Sequence, residues 1–335
     1  MENKQNQALK IFKDKTKSGK DKKWQERKCK NIELAKQLEE LGYQSFRRVY
    51  LCAEVLKFVE REDGSLKLYQ TYFCKNKLCA ICNWRRSMKY SYQAERVIEE
   101  ALVRYPKGRF LFLTLTVKNV TGENLNQTLS KITEGFRRLM QYKKVDKNLI
   151  GFLRATEVTY SQKREDYHPH LHVLLMVKSS YFTGNRGNSE NYISQEEWTK
   201  LWQKAMKLDY TPMVDIRAVK NKAVEKDKGF KKAILETAKY PVKPFDMEKD
   251  KDGNKIILSE DEKLQIVDDM MNGLHRKRQI GFGKLFKEIK KEMDFDDIEN
   301  GNLIQTGDEE IEKVSAVRQI IAVWNWQRMN YFIKE

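Results

Sequence analysis

Apolar and polar positions along the chain fall into distinct rhythms, and each rhythm predicts a type of element. From Arg109 to Lys118 the run RFLFLTLTVK is apolar at most positions, the pattern of a strand buried in a sheet. From Leu125 to Tyr142 apolar residues recur every three or four positions, which predicts an amphipathic helix. Leu149 to Tyr160 and His168 to Lys178 are again strand-like, and the polar stretch Ser161 to Asp166 reads as the turn joining them in a hairpin. Ser194-Gln195-Glu196-Glu197 has the form of a capping box, and the helix it opens carries Trp198, Trp202 and Met206 at core spacing. Met213 to Val219 is the next strand, and a further helix over about Gly229 to Tyr240 ends against Pro241. The order β-α-β-β-α-β predicts an α+β fold: an antiparallel sheet in the split βαβ pattern, flanked by helices.

The flanking segments read differently. Residues 1 to about 30 are Lys-rich with few periodic apolar positions, so a basic arm, mobile until it meets a partner, is expected. A short helix over Asn31 to Leu41 stops at Gly42. A cysteine-bearing unit follows, with a helix through about Arg104 linking it to the sheet. Asp246 to Lys263 is dominated by charge and reads as a linker or exposed hairpin. Leu274 to Lys291 is basic around Gly281-Phe282-Gly283, and Val323 to Ile333 is an aromatic, strand-like stretch. The expected division is therefore an arm and short helix (1–45), a four-cysteine unit with its linking helix (46–105), the sheet domain (106–245), and a charged linker with a basic α/β extension for DNA binding or assembly (246–335).

Charge narrows the partner class. Lys and Arg number 65 against 48 Asp and Glu, and the net charge of +17 points to a polyanion, nucleic acid above all. No apolar run approaches the roughly 20 residues needed to span a bilayer, and Met1-Glu2-Asn3-Lys4-Gln5 is unlike a signal peptide, so a cytoplasmic protein with no membrane partner is expected. Four of the five cysteines form Cys52-x21-Cys74-x4-Cys79-x2-Cys82, with Cys79-Ala80-Ile81-Cys82 as a knuckle. In a reducing compartment this pattern suits tetrahedral Zn²⁺ better than disulfides. Cys29 is left without a partner. Arg85 and Arg86, beside Trp84, are candidates for DNA contact through cations and a stacking ring.

Two groups of residues carry chemistry. His170 and His172 lie on one face of a strand and can present two imidazoles to one metal ion. A turn centred between Lys163 and Arg164 would put Glu157 directly opposite His170 as a third ligand, with His168 the alternative. Further on, Glu236 and Tyr240 are spaced to share a helical face, so a carboxylate and a phenol can address one substrate atom, and Lys243 could bind a phosphate beside them.

The strand Phe112-Leu113-Thr114-Leu115-Thr116, the His170-Leu171-His172 pair and the Tyr240-x-x-Lys243 element, in this order, resemble the three motifs of HUH endonucleases. Over roughly residues 45 to 335 the resemblance extends to the Rep initiators of small Gram-positive rolling-circle plasmids, through Cys74 to Arg86, Glu157-Val158-Thr159 and Gly273 to Arg278. The resemblance implies metal-dependent nicking of origin DNA by Tyr240, a 5′-phosphotyrosyl intermediate, and termination by water activated at Glu236. The metal would be Mn²⁺ or Mg²⁺, with structural Zn²⁺ on the cysteines. Lys239, Arg276, Lys277 and Arg278 would join Arg85 and Arg86 in binding DNA. Expected partners are the plasmid's double-strand origin, with or without an extruded hairpin, a host helicase and polymerase, and a second copy of the chain in a homodimer. A relaxase or transposase of the same chemistry, or a non-enzymatic zinc-dependent DNA-binding regulator, is the alternative.

Overall fold

The computed structural model describes residues 10–16, 18–182, 190–219, 258–307 and 318–334. The expected helix before Pro241 lies outside them. The chain divides into two units, Met1–Arg85 with Leu303–Glu335, and Arg86–Asn302.

The first unit opens on α1 (Trp24–Glu40), which starts at Trp24 rather than Asn31. Its buried face includes Trp24, Lys28, Asn31, Ile32, Leu34, Ala35 and Leu38. Two of these are polar, so apolar periodicity alone stops short of the helix start. The preceding arm, expected to be mobile, is packed where described: Phe12 stacks on Phe58 with ring centroids 5.0 Å apart and takes a backbone bond from its N–H to Tyr331 O at 2.9 Å. After α2 (Phe46–Tyr50) come β1 (Val55–Glu60) and β2 (Leu66–Gln70), paired antiparallel around a turn in which Gly64 adopts a φ of 73°. The long helix α3 (Ala80–Arg104) begins in this unit and ends in the second.

The second unit holds β3 (Arg109–Thr116), α4 (Gly122–Gln141), α5 (Lys143–Asp146), β4 (Leu149–Ser161), β5 (Asp166–Val177), α6 (Gln195–Met206), β6 (Val214–Val219), α7 (Glu260–Gly273), β7 (Ile280–Lys284) and α8 (Leu285–Glu292). Its sheet runs β6-β3-β5-β4-β7, each neighbour antiparallel. One face packs Phe110, Phe112, Leu153, Leu174 and Met176 against Tyr90, Ala94, Val97 and Ile98 of α3 and Phe286 and Ile289 of α8. The other packs Leu111, Leu113, Leu171, Val173 and Leu175 against Ile132, Phe136 and Leu139 of α4 and Trp198 and Trp202 of α6. Each buried Val, Leu, Ile, Phe or Met among these contributes about 1.5–3 kcal/mol by leaving water. A one-residue slip would exchange the two faces, so the register is held from both sides.

The capping box expected at α6 is half formed. Ser194 Oγ accepts from Glu197 N at 3.2 Å, but the Glu197 carboxylate takes Lys144 Nζ at 2.6 and 2.8 Å instead. A complete box stands at α7, between Ser259 and Glu262, so Glu260 to Lys263 form the first turn of a helix and not part of an exposed linker. The expected C-terminal region is not a body of its own. Its β7 and α8 extend the second unit, while β8 (Arg318–Asn325) and β9 (Asn330–Lys334) complete the first unit's sheet in the order β2-β1-β8-β9. The pair Phe58 and Ile320 is too far apart in sequence to leave a local signature. No described helix is long and apolar enough to cross a membrane.

Candidate active site

The β4-β5 hairpin pairs Ser161 with Asp166 and Glu157 with His170, the register expected for a turn centred between Lys163 and Arg164. Glu165 in that turn takes a φ of 51°. On its other side β5 pairs His170 with Thr116 and His172 with Thr114 of β3. By strand alternation Glu157, His170, His172 and Thr114 share the face of Phe112, Leu153 and Leu174. His170 is buried, and His172 and Glu157 are half-buried.

Three atoms converge there. His172 Nε2 lies 2.9 Å and His170 Nε2 3.3 Å from Glu157 Oε2, and the two Nε2 atoms are 3.2 Å apart. Around an octahedral cation with bonds of about 2.1 Å, adjacent donors stand about 3.0 Å apart. The triangle thus fits one face of such a shell and leaves the opposite face for water or phosphate oxygens. Both rings are steered from behind: His170 Nδ1 lies 3.2 Å from His168 O, and His172 Nδ1 3.2 Å from Thr114 Oγ1. Nδ1–H donation to these oxygens leaves each Nε2 lone pair facing the triangle. Phe112 stacks on His172 with centroids 5.5 Å apart.

Burial alone would raise the Glu157 carboxyl, but hydrogen bonds to His170 and His172, and their charge, hold it well below the usual carboxylate range. His168 sits opposite Thr159, outside the triangle, and burial pushes its imidazole down. Of the two candidates for third donor, Glu157 completes the group, while His168 serves it through a main-chain carbonyl.

The four cysteines also converge. Cys52 Sγ lies 3.7 Å from those of Cys79 and Cys82, and Cys74 Sγ 3.7 Å from that of Cys82. A tetrahedral cation with Zn–S bonds of about 2.3 Å requires sulfur separations of about 3.8 Å, whereas a disulfide needs about 2.05 Å. The cluster therefore fits one tetrahedral ion. Asn31 Nδ2 donates to Cys79 Sγ at 3.0 Å, Cys82 N to Cys79 Sγ at 3.3 Å, and Cys74 N to Cys52 Sγ at 3.5 Å. Burial pushes the Cys52 thiol up; for Cys79 burial is outweighed by hydrogen bonds from Cys52, Cys74 and Cys82, which hold it well below the usual thiol range. Cys29 takes no part.

The expected DNA contacts divide. Arg85 and Arg86 are 5% and 1% exposed. Arg85 donates to Leu303 O at 2.8 Å and Ile304 O at 2.6 Å, and Arg86 to Glu299 O at 3.1 Å. Trp84 is edge-on to Trp24 at 4.9 Å with Arg27 over its ring at 4.4 Å. These residues bind the chain's own main chain and rings, which corrects the expectation that they meet DNA. Arg276, Lys277 and Arg278 lie between α7 and β7, with Arg276 and Arg278 exposed. Lys277 donates to Ser130 Oγ, and Arg278 pairs with Asp297. Since β7 pairs Ile280 with Ala155, continuing the register two steps brings Arg278 level with Glu157. Glu236, Lys239, Tyr240 and Lys243 lie outside the described residues.

Sequence reasoning missed Thr114, Lys28 and Asn31. A threonine in an otherwise apolar strand was the available signal for the first; a lysine in a Lys-rich arm and an asparagine at the expected start of a short helix gave none for the others.

Residues 65–332 match a family described as Replication protein. The chain is 54% identical over 327 residues to a "Protein rep" of Streptococcus pneumoniae serotype 2, covering 97% of this chain and 96% of that protein. It is 44% identical over 328 residues to a "Protein rep" of Lentilactobacillus hilgardii, covering 97% and 99%, and 42% identical over 343 residues to one of Bacillus amyloliquefaciens, covering 97% of each. No solved structure matches.

Proposed function

The chain belongs to this replication protein family, and we propose that it is a plasmid initiator that starts rolling-circle replication by nicking one strand of its origin. The observation that carries this reading is the triangle of Glu157, His170 and His172, built on neighbouring strands and backed by Thr114 and the His168 carbonyl. The strand order β6-β3-β5-β4 supports it, being that of the split βαβ pattern expected for an HUH nuclease. The three side chains would hold Mg²⁺ or Mn²⁺, which when bound polarises the scissile phosphate and offsets charge developing on it.

Tyr240 is the nucleophile. Its phenolic oxygen attacks phosphorus and the bond to the 3′ oxygen breaks, which gives a 5′-phosphotyrosyl chain and a free 3′-OH. That hydroxyl primes a host polymerase behind a host helicase. After one round Glu236, four residues before Tyr240 in the sequence, takes a proton from water so that the second cleavage needs no second tyrosine. Lys243 and Lys239 bind phosphates beside them, and Arg276, Lys277 and Arg278 hold the origin backbone near Glu157, so binding weakens with salt. The four cysteines hold Zn²⁺ as a structural ion. The protein works in the cytoplasm.

The test is to incubate the protein with supercoiled plasmid bearing its own origin and Mg²⁺ or Mn²⁺, map the nick, and assay protein on the 5′ end. Tyr240→Phe should keep origin binding and lose nicking. Cleavage persisting at the same phosphate would reject Tyr240.

A further inference from the structure

Lys28 is a charged side chain with no exposure, and nothing in replication chemistry calls for it. Its ammonium donates to Tyr50 O at 2.6 Å and to the carbonyl of Cys52, one of the four clustered cysteines, at 2.9 Å. The Trp326 ring stands 5.2 Å away. Among the described residues it forms no ion pair with a carboxylate. One turn along the same face of α1, Asn31, also without exposure, donates from Nδ2 to Cys79 Sγ at 3.0 Å and accepts from Ala80 N at Oδ1 at 2.9 Å.

A buried ammonium lacking a counter-charge is strongly disfavoured, and so is a buried anion. Four thiolates around one divalent cation leave two negative charges, and the cluster that would bear them is no more than 3% exposed at any cysteine. Each of these unfavourable features answers the other.

We propose that Lys28 and Asn31 are positioning residues of the four-cysteine metal site: Lys28 supplies the counter-charge of the metal tetrathiolate, and Asn31 supplies a hydrogen bond that fixes Cys79 and the Ala80 turn. This rests on the zinc reading above. Its consequence is that α1 docks through the metal: with the ion gone and the thiols neutral, the buried Lys28 ammonium keeps only the Glu54 carboxylate, with which it forms no ion pair, as a negative neighbour. The N-terminal helix then becomes part of the metal site and not an appendage to it.

The full-length protein tests this in three measurements. Zinc per chain and the rate of zinc transfer to a chelating dye are compared for wild type, Lys28→Met, Lys28→Arg and Asn31→Ala. Wild type should hold one zinc, Lys28→Met and Asn31→Ala should release it about 10–100-fold faster, and Lys28→Arg should stay nearer wild type. In cobalt-substituted protein, loss of the Asn31 donor should move the thiolate-to-metal charge-transfer band to longer wavelength, which a purely structural role would not do. In wild type, amide hydrogen exchange across residues 24–40 should accelerate when a chelator strips the ion, a readout that needs no variant. Zinc-loaded variants with wild-type release rates and unchanged cobalt spectra, or an α1 that keeps its protection without metal, would overturn the assignment while leaving the zinc site standing. A wild-type protein that takes up neither zinc nor cobalt would remove the zinc reading and this proposal together.

Discussion

Thr114→Val isolates the support behind the triangle of Glu157, His170 and His172 from the triangle itself. Valine keeps the branched shape and the strand preference of threonine but removes the oxygen 3.2 Å from His172 Nδ1. With Nε2 turned toward a cation, Nδ1 must carry the proton and donate, and Thr114 Oγ1 is its acceptor. Because His172 is half-buried, with 21% of its side chain exposed, water replaces part of what is lost. The change should then cost about 1–1.4 kcal/mol, a hydrogen bond of ordinary net strength, which converts to a five- to tenfold weaker hold on the ion. The assay is nicking of origin-bearing supercoiled plasmid as Mn²⁺ or Mg²⁺ is titrated. The metal concentration for half-maximal rate should rise five- to tenfold, the rate at saturating metal should change much less, and Thr114→Ser should restore the wild-type requirement. An unchanged metal requirement in Thr114→Val would show that the hydroxyl does not orient His172, and an equal loss at saturating metal would place its effect elsewhere.

Glu236→Ala should nick origin DNA at near-normal rate but fail to release unit-length circles, seen as multimeric single strands on a denaturing gel; normal termination would pass the water-activating role to another group. Gly122→Ala, which by helix propensity alone should stabilise α4, should lower stability by about 1–3 kcal/mol. A methyl group there falls 2.0–2.2 Å from the atoms of the Asp269 carboxylate, which also accepts from Tyr167 Oη at 2.8 Å and Gln265 Nε2 at 2.9 Å; a higher melting temperature would refute the argument. Tyr167→Phe should cost about 1–3 kcal/mol at neutral pH through loss of that bond. Burial, then the bond to Asp269 and its charge, raise the Tyr167 phenol above its ordinary value, so its contribution is present below about pH 10 and lost as pH rises beyond. Urea midpoints of wild type and variant should therefore converge in strong alkali.

What the sequence made legible was local. The pairing of Glu157 with His170 follows from the symmetry of a short turn, and the two imidazoles follow from strand alternation, so the triangle could be drawn before any coordinate. The cysteine cluster could be named from its spacing. What stayed hidden depends on contacts between distant segments or on environment. The pairing of β7 with β4, which aligns the Arg278 run with Glu157, joins residues over a hundred positions apart. Arg85 and Arg86 have the composition of a DNA contact, yet residue type says nothing of burial, and both are turned inward onto carbonyls. Lys28 is the same error reversed: among the described lysines of a basic arm it is the one that the interior keeps.

The first unit's sheet places β8 between β1 and β9, with the whole second unit intervening in sequence. On the ribosome, β1 therefore emerges more than 250 residues before the strand that covers its open edge, as the pair Phe58 and Ile320 sets the interval. At roughly 5–20 residues per second that is on the order of 10–50 s with an unpaired edge, long enough for nascent-chain binding factors or a second ribosome's product to find it. The second unit's sheet can complete itself in that time, while the first unit's sheet waits for Arg318 to Lys334. A message cut after Asn302 would yield an intact second unit carrying a first unit that lacks two of its four strands, so surveillance of this protein's synthesis falls on the codons for β8 and β9.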